Sequence, residues 1–300
     1  MPLHAWSSAA YTFPLPAGHR FPIEKYALLR DAVVAEGLVS SSRVHEPARA
    51  TLEELARVHT RDYIDRLTSG GLTEAELRLL GFPWSPALVE RSYRAVGGTL
   101  GAARAALDHG LAVNLAGGTH HAFPDRGEGF CVFNDVAIAV RALRAEGRIR
   151  RAAIIDLDVH QGNGTHAIFA GDAETFTFSM HGGRNYPFRK VPGTLDIELP
   201  DGTGDEAYLA QLASALPRVL DASAPDLVVY LAGADPHERD RLGRLKLTFS
   251  GLQRRDAMVL EACREVGIPV AITVAGGYGT DIHETVAIHV ATVRVARAFV

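Results

Sequence analysis

The sequence predicts an α/β fold: a single domain spanning residues 1–300, with a mostly parallel central sheet and helices on both faces. Three observations carry this expectation. Short apolar runs at 111–116, from 153, at 175–180, 227–231 and 269–274 read as strands buried on both faces. Stretches with helical spacing separate them. Each run ends in a cluster of glycines with His, Asp or Tyr, the place where open α/β sheets hold their ligands.

Before the first of these runs, residues 11–22 hold Tyr11, Phe13, Pro14, Pro16, Gly18, His19, Phe21 and Pro22, too many prolines for a helix. This segment is expected to be an ordered loop at a site entrance, with His19 in contact with substrate. A helix over 24–36 follows from the spacing of Tyr26, Leu29 and Val33, stopped by Gly37. Thr51 and Glu54 form a capping-box pair, and Gly70-Gly71 ends a short helix after Asp62-Tyr63. A long helix is expected over 84–108, with Gly97, Gly98 and Gly101 permitting close packing. Asn134-Asp135 can cap a helix to 146; further helices are expected over 205–219, 248–266 and from 281 onward.

Composition narrows the function classes. Apolar residues make up 47% and charged residues 22% of 300, so neither disorder nor a membrane protein is indicated. The net charge of −4 comes without a block of like charges, so a nucleic-acid footprint is absent. Two cysteines, Cys131 and Cys263, are too few for a disulfide framework. With no signal-peptide pattern and no long apolar run, a cytoplasmic protein is expected.

The central stretch is Ile154-Ile155-Asp156-Leu157-Asp158-Val159-His160-Gln161-Gly162-Asn163-Gly164. On an extended chain Asp156, Asp158 and His160 project to one side. Two buried carboxylates beside an imidazole would repel and stay uncompensated unless a cation is held there. Asp158 and His160, joined by Asp235 after the 227–231 run, supply three ligands and leave a position open, the pattern of a catalytic zinc site. His120-His121, after the 111–116 run, can move protons to and from a leaving amine. Asp156 and Asn163 are free to orient those imidazoles, and Tyr278, set among glycines, can donate to an oxyanion. Singly, each has a bland reading: an Asp before Pro marks a turn, and a His pair is often structural. Their shared position at strand ends gives the pattern weight.

At these motifs the chain resembles the zinc-dependent histone deacetylase superfamily, of the arginase–deacetylase fold. The matching segments are Gly117-Gly-Thr-His-His-Ala122, Gly129-Phe-Cys-Val-Phe-Asn-Asp135, Ile155-Asp-Leu-Asp-Val-His-Gln-Gly-Asn-Gly164, Ala232-Gly-Ala-Asp235 and Gly276-Gly-Tyr278. Gly18-His19-Arg20-Phe21-Pro22, Asn163 and Asn185-Tyr186-Pro187 are similar to class IV enzymes and their bacterial relatives. The resemblance implies one zinc ion on Asp158, His160 and Asp235, His120 and His121 as acid/base pair backed by Asp156 and Asn163, and Tyr278 as oxyanion donor. It implies Gly129 and Phe130 along an acyl-lysine tunnel, with Met180 as a further substrate contact. It also implies an inner monovalent-cation site, a structural K⁺, at Asp156, Asp158, His160, Ser179 and Met180, largely through backbone carbonyls. Arg239 stands where the family commonly has Gly.

The expected activity is removal of acyl groups from lysine side chains in a protein or peptide. A small acylated amine such as an acetylpolyamine is the alternative substrate. A ureohydrolase-like enzyme would want a second metal and more carboxylate ligands, and a non-catalytic metal-binding module would not need the tandem histidines and Tyr278.

Overall fold

Consecutive residues of the central strands feed two different cores. The computed structural model describes residues 2–300. Its elements are β1 (His4–Trp6), α1 (Lys25–Ala35), β2 (Val44–His45), α2 (Leu52–Ala56), α3 (Arg61–Ser69), α4 (Glu74–Leu80), α5 (Pro86–His109), β3 (Leu111–Asn114), α6 (Asp135–Ala145), β4 (Ala152–Asp156), α7 (Asn163–Ile168), β5 (Thr175–Gly182), β6 (Leu195–Leu199), α8 (Asp205–Ser223), β7 (Leu227–Leu231), α9 (Phe249–Glu265), β8 (Val270–Thr273) and α10 (Ile282–Arg297). Ala152, Ile154, Leu227 and Val229 face one apolar layer with α2, α3, α5 and α6. Ala153, Ile155, Val228 and Tyr230 face the other, with α1, α8, α9 and α10. That is the period-two geometry of a strand covered on both faces.

The eight strands form one parallel sheet in the order β2-β1-β3-β8-β7-β4-β5-β6. The expected strands are all present, and the sheet is wholly parallel. Two short strands, β1 and the edge strand β2, extend it on one side, and the edge strand β6 extends it on the other. Among the described residues no helix is long and apolar enough to cross a membrane.

Capping residues stand where the sequence places them. Thr51 and Glu54 make the reciprocal capping box of α2, and Asn134 Oδ1 accepts from the Ala137 N–H at the start of α6. In α5, a Cβ on Gly97 would lie 1.8 Å from the Ala48 carbonyl oxygen. Gly97 therefore permits backbone contact, while Gly98 and Gly101 make room for the side chains of Asn114 and Trp6, the close packing that the sequence suggests.

The chain leaves β3, passes over the places later filled by β8 and β7, and enters β4. Register then aligns Asn114, Thr273, Leu231 and Asp156 in one row across the four strand ends. The segments following that row are those that carry the polar clusters, and this switch point is where a ligand cleft forms.

Candidate metal centre and active site

Asp158 and His160 follow β4, and Asp235 follows β7, its immediate neighbour. All three side chains are buried, and one ligand atom from each lies within 4.8 Å of the others. His160 Nδ1 stands 2.9 Å from Asp158 Oδ1 and 3.3 Å from Asp235 Oδ2. The backbone holds the remaining lone pairs: the Val159 N–H donates to Asp235 Oδ1 (2.9 Å), and the Gly276 N–H to Asp158 Oδ2 (2.9 Å). Asp235 Oδ2 alone has no hydrogen-bond partner. Burial and the Asp158 carboxylate push the Asp235 carboxyl up to about 7, despite the opposing pull of His160. A hard, dehydrated carboxylate oxygen without a donor, beside an imidazole nitrogen and a second carboxylate, fits a divalent metal such as zinc. A Cβ on Gly276 would lie 2.1 Å from Asp235 Oδ2 and 2.5 Å from Asp158 Oδ2, so only glycine leaves this cradle open.

Beside these three residues lies a buried cation that the sequence reading does not single out. Arg255 is fully buried, pairs with Asp256 (2.8 Å), and donates to the carbonyls of Gly233 (2.7 Å) and Leu157 (3.3 Å). It thereby ties together the two segments that present Asp158 and Asp235.

His120 and His121 follow β3 and are both buried. Their loop is shaped by Asp135, whose carboxylate accepts from the N–H groups of Gly118 (3.0 Å) and Thr119 (2.8 Å) and from the Thr119 hydroxyl (2.6 Å). His120 Nδ1–H donates to Asp156 Oδ2 (2.7 Å), and His121 Nδ1–H donates to Asn163 Oδ1 (2.7 Å). Burial alone would lower His120, but Asp156 and Asp158 outweigh it and raise it to about 9. Burial, with His120 and His160 nearby, holds His121 well below its ordinary value.

The His121 tautomer has a structural cause. Asn163 Nδ2 donates to Glu128 Oε1 (3.0 Å), and the Tyr186 hydroxyl donates to the same carboxylate. A carboxylate only accepts, so the Asn163 amide must turn its oxygen to His121. Nδ1 of His121 then carries the proton and Nε2 is left as acceptor. Glu128 and Tyr186 complete a relay that no local motif announces.

Tyr278 follows β8 in the segment Ala275-Gly276-Gly277-Tyr278. Its N–H donates to Asp240 Oδ2 (2.6 Å), and Arg241 Nε donates to its carbonyl (2.9 Å). Burial and the carboxylates of Asp158 and Asp235 push its phenol well above the ordinary tyrosine range, so the hydroxyl stays a donor. Phe130 and Ala275 both adopt positive φ (67° and 49°), a left-handed conformation costing a non-glycine residue about 1–3 kcal/mol and typical of functional sites.

Lys25 supports this segment from α1. It is 1% exposed, and its Nζ donates to the carbonyls of Ala275 (3.4 Å) and Gly277 (3.3 Å). The ammonium also sits 5.4 Å from the Tyr278 ring centroid. Lys25→Met keeps the stem and removes these bonds. Its kcat is expected to fall about ten- to a hundredfold through misplacement of Tyr278, with metal content unchanged. Parallel kinetics and metal analysis check this.

Gly129 and Phe130 stand along the channel that leads from these groups to solvent, and His19, Gly18 and Arg20 stand at its mouth. His19 Nε2–H donates to the Gly81 carbonyl (2.9 Å), while Nδ1 accepts from the Phe21 N–H (3.1 Å). Phe13 and Phe21, from the same loop, line the inner end of the channel. Met180 is placed otherwise than expected. It is fully buried in the core with Phe178, on the face of β5 that meets α8, and does not reach the channel. Tyr186 stands there instead, its ring 5.0 Å from that of His121. Ser179 is buried and bonds His181 Nδ1 (2.9 Å); His181 is itself fully buried and does not line the channel. Arg239 is exposed and pairs with Glu284 (3.1 Å).

Residues 19–293 match the family model described as "Histone deacetylase domain". The chain is 46% identical over 287 residues to an uncharacterized protein of Picosynechococcus sp., covering 96% of each. It is 33% identical over 269 residues to histone deacetylase 2 of Arabidopsis thaliana, covering 87% of this chain and 70% of that one. Its structure is similar to the crystal structure of a histone deacetylase homologue complexed with SAHA, with TM-score 0.89, 27% identity, and coverage of 99% and 84%.

Proposed function

The chain belongs to the histone deacetylase family, and from that premise we propose that it is a zinc-dependent hydrolase that removes acyl groups from lysine side chains. The observation that carries this reading is the meeting of Asp158, His160 and Asp235 with two histidines, each anchored by its own acceptor, at the end of a channel. Asp158 Oδ1, His160 Nδ1 and Asp235 Oδ2 would hold the zinc. When bound, the ion supplies an activated water and polarises the amide carbonyl.

The protein's own groups divide the remaining work. His121, neutral and with Nε2 facing the channel, takes up a proton and passes it to the departing amine. His120 is held in its charged form by Asp156, so the pair presents one cation and one base; environments that split two titratable groups set such assignments. The Tyr278 hydroxyl donates to the carbonyl oxygen as negative charge develops there. Phe130, Phe21 and Tyr186 exclude water from the acyl-amine stem. A structural K⁺ on Asp156, Asp158, His160, Ser179 and Met180 belongs to the same proposal. Its support is the pairing of Asp156 with Ser179 in adjacent strands, all five residues being buried. Among the described residues there is one three-ligand group, which favours a single catalytic metal over a two-metal ureohydrolase site.

An acetyl-lysine peptide is expected to release acetate at a rate that chelation abolishes and Zn²⁺ restores. Acetate release that survives complete removal of metal would refute the mechanism.

A further inference from the structure

The mouth of the channel carries an uneven charge. Arg20, Arg78, Arg184, Arg241 and Arg244 line it, and no aspartate or glutamate does so among the described residues. This is a local segregation, because the chain as a whole carries −4. Nearby carboxylates compensate it only in part. Asp201 is shared between Arg184 (3.7 Å) and Arg244 (3.2 Å), and Glu74 approaches Arg78 at 3.5 Å with both side chains in solvent. Arg20 and Arg241 have no carboxylate within 4.0 Å among the described residues; Arg241 is tied only to the Tyr278 carbonyl. Asp240, the acid closest in sequence, is occupied by the N–H groups of Tyr278, Leu242 and Gly243. Five guanidiniums thus face the approach to the site, and among the described residues only two carboxylates, Asp201 and Glu74, form ion pairs with any of them.

Resting on the deacylase reading, we propose that the arginine mouth selects an acyl-lysine lying in an acidic segment of a protein, and disfavours polycations such as lysine-rich tails and acetylpolyamines. Guanidiniums bind carboxylates through paired N–H donors, whereas a neighbouring ammonium would meet like charge in a concave site. Phe188, 89% exposed at the same mouth, adds an apolar surface beside the arginines. Exposed ion pairs contribute little, so Asp201 and Glu74 give way readily to a substrate carboxylate.

The test compares three acetyl-lysine peptides of equal length, flanked by Asp/Glu, by Ser/Gly or by Lys/Arg, on the metal-loaded protein. Fluorescence anisotropy reads binding and acetate release reads turnover. The acidic peptide is expected to bind at least about tenfold tighter than the basic one at about 0.05 M salt, with the gap narrowing at about 0.5 M as the charges are screened. Monoacetylated spermidine is expected to bind more weakly than free Nε-acetyl-lysine. Arg20→Glu combined with Arg244→Glu, checked for an unchanged melting temperature, should invert the order of the peptides. Equal affinities, a preference for the basic peptide or polyamine, or an order untouched in the double variant would overturn the proposal. Preferential binding of the acidic peptide without turnover of any peptide would refute the deacylase reading and still support selection by the arginines.

Discussion

Asp235→Ala is expected to lose its metal and its activity together. The substitution removes the carboxylate oxygen that has no protein donor, Oδ2, and leaves Asp158 and His160 as the only ligands. Loss of a group that merely orients a ligand costs roughly 10–100-fold in metal affinity, so loss of a ligand should exceed that range. Asp235 Oδ1 also accepts the Val159 N–H, and alanine would leave that donor buried and unpaired at about 1–3 kcal/mol. Asp235→Asn therefore accompanies it, since the amide oxygen can keep the bond to Val159 while the ligand charge is gone. Both variants should show sub-stoichiometric zinc by elemental analysis and no measurable acetate release, with Asp235→Asn nearer the wild type in thermal stability. Stoichiometric zinc in Asp235→Ala would remove Asp235 from the ligand set.

That these residues meet was legible in the sequence because each ends or follows a buried strand, and parallel strands bring their ends to one rim. Asp156, Asp158, His160, His120, His121, Asp235 and Tyr278 all obey this rule, and β3, β8, β7 and β4 stand side by side. Supports from distant segments were not legible. Glu128 meets Tyr186 across 58 residues, and Lys25 meets Gly277 across 252, with no periodicity to announce either contact. Met180 shows a different limit. Strand parity sends the side chain of a residue in a functional segment to the opposite core, and here Met180 shares the face of Phe178. Strands of two or three residues, β1 and β2, are too short for alternation to be read. By contrast, α4 carries the Thr73–Glu76 capping box that also marks α2, and β6 has the alternation of Leu195-Asp196-Ile197-Glu198-Leu199. Both elements therefore carry a local signal of their own in the sequence.

Tyr278→Phe is expected to lower kcat by roughly 10²–10³, the effect of losing one oxyanion donor, or about 3–4 kcal/mol. The ring would remain among its neighbours, with Phe130 at 5.9 Å and Phe21 at 6.5 Å between centroids. The backbone ties to Asp240, Arg241 and Lys25 use no part of the hydroxyl. Ligand geometry at Asp158, His160 and Asp235 should likewise survive, so zinc content is expected to match the wild type. Substrate affinity should fall much less than kcat, because the hydrogen bond strengthens as charge develops on the carbonyl oxygen. A Tyr278 that served only as packing at the end of β8 would give the opposite pattern, since phenylalanine fills the same space. Measuring kcat, peptide affinity and zinc on this one variant separates the two roles: full zinc, retained binding and a collapse in turnover assign the hydroxyl to the reaction, and turnover within a few-fold of wild type takes it out.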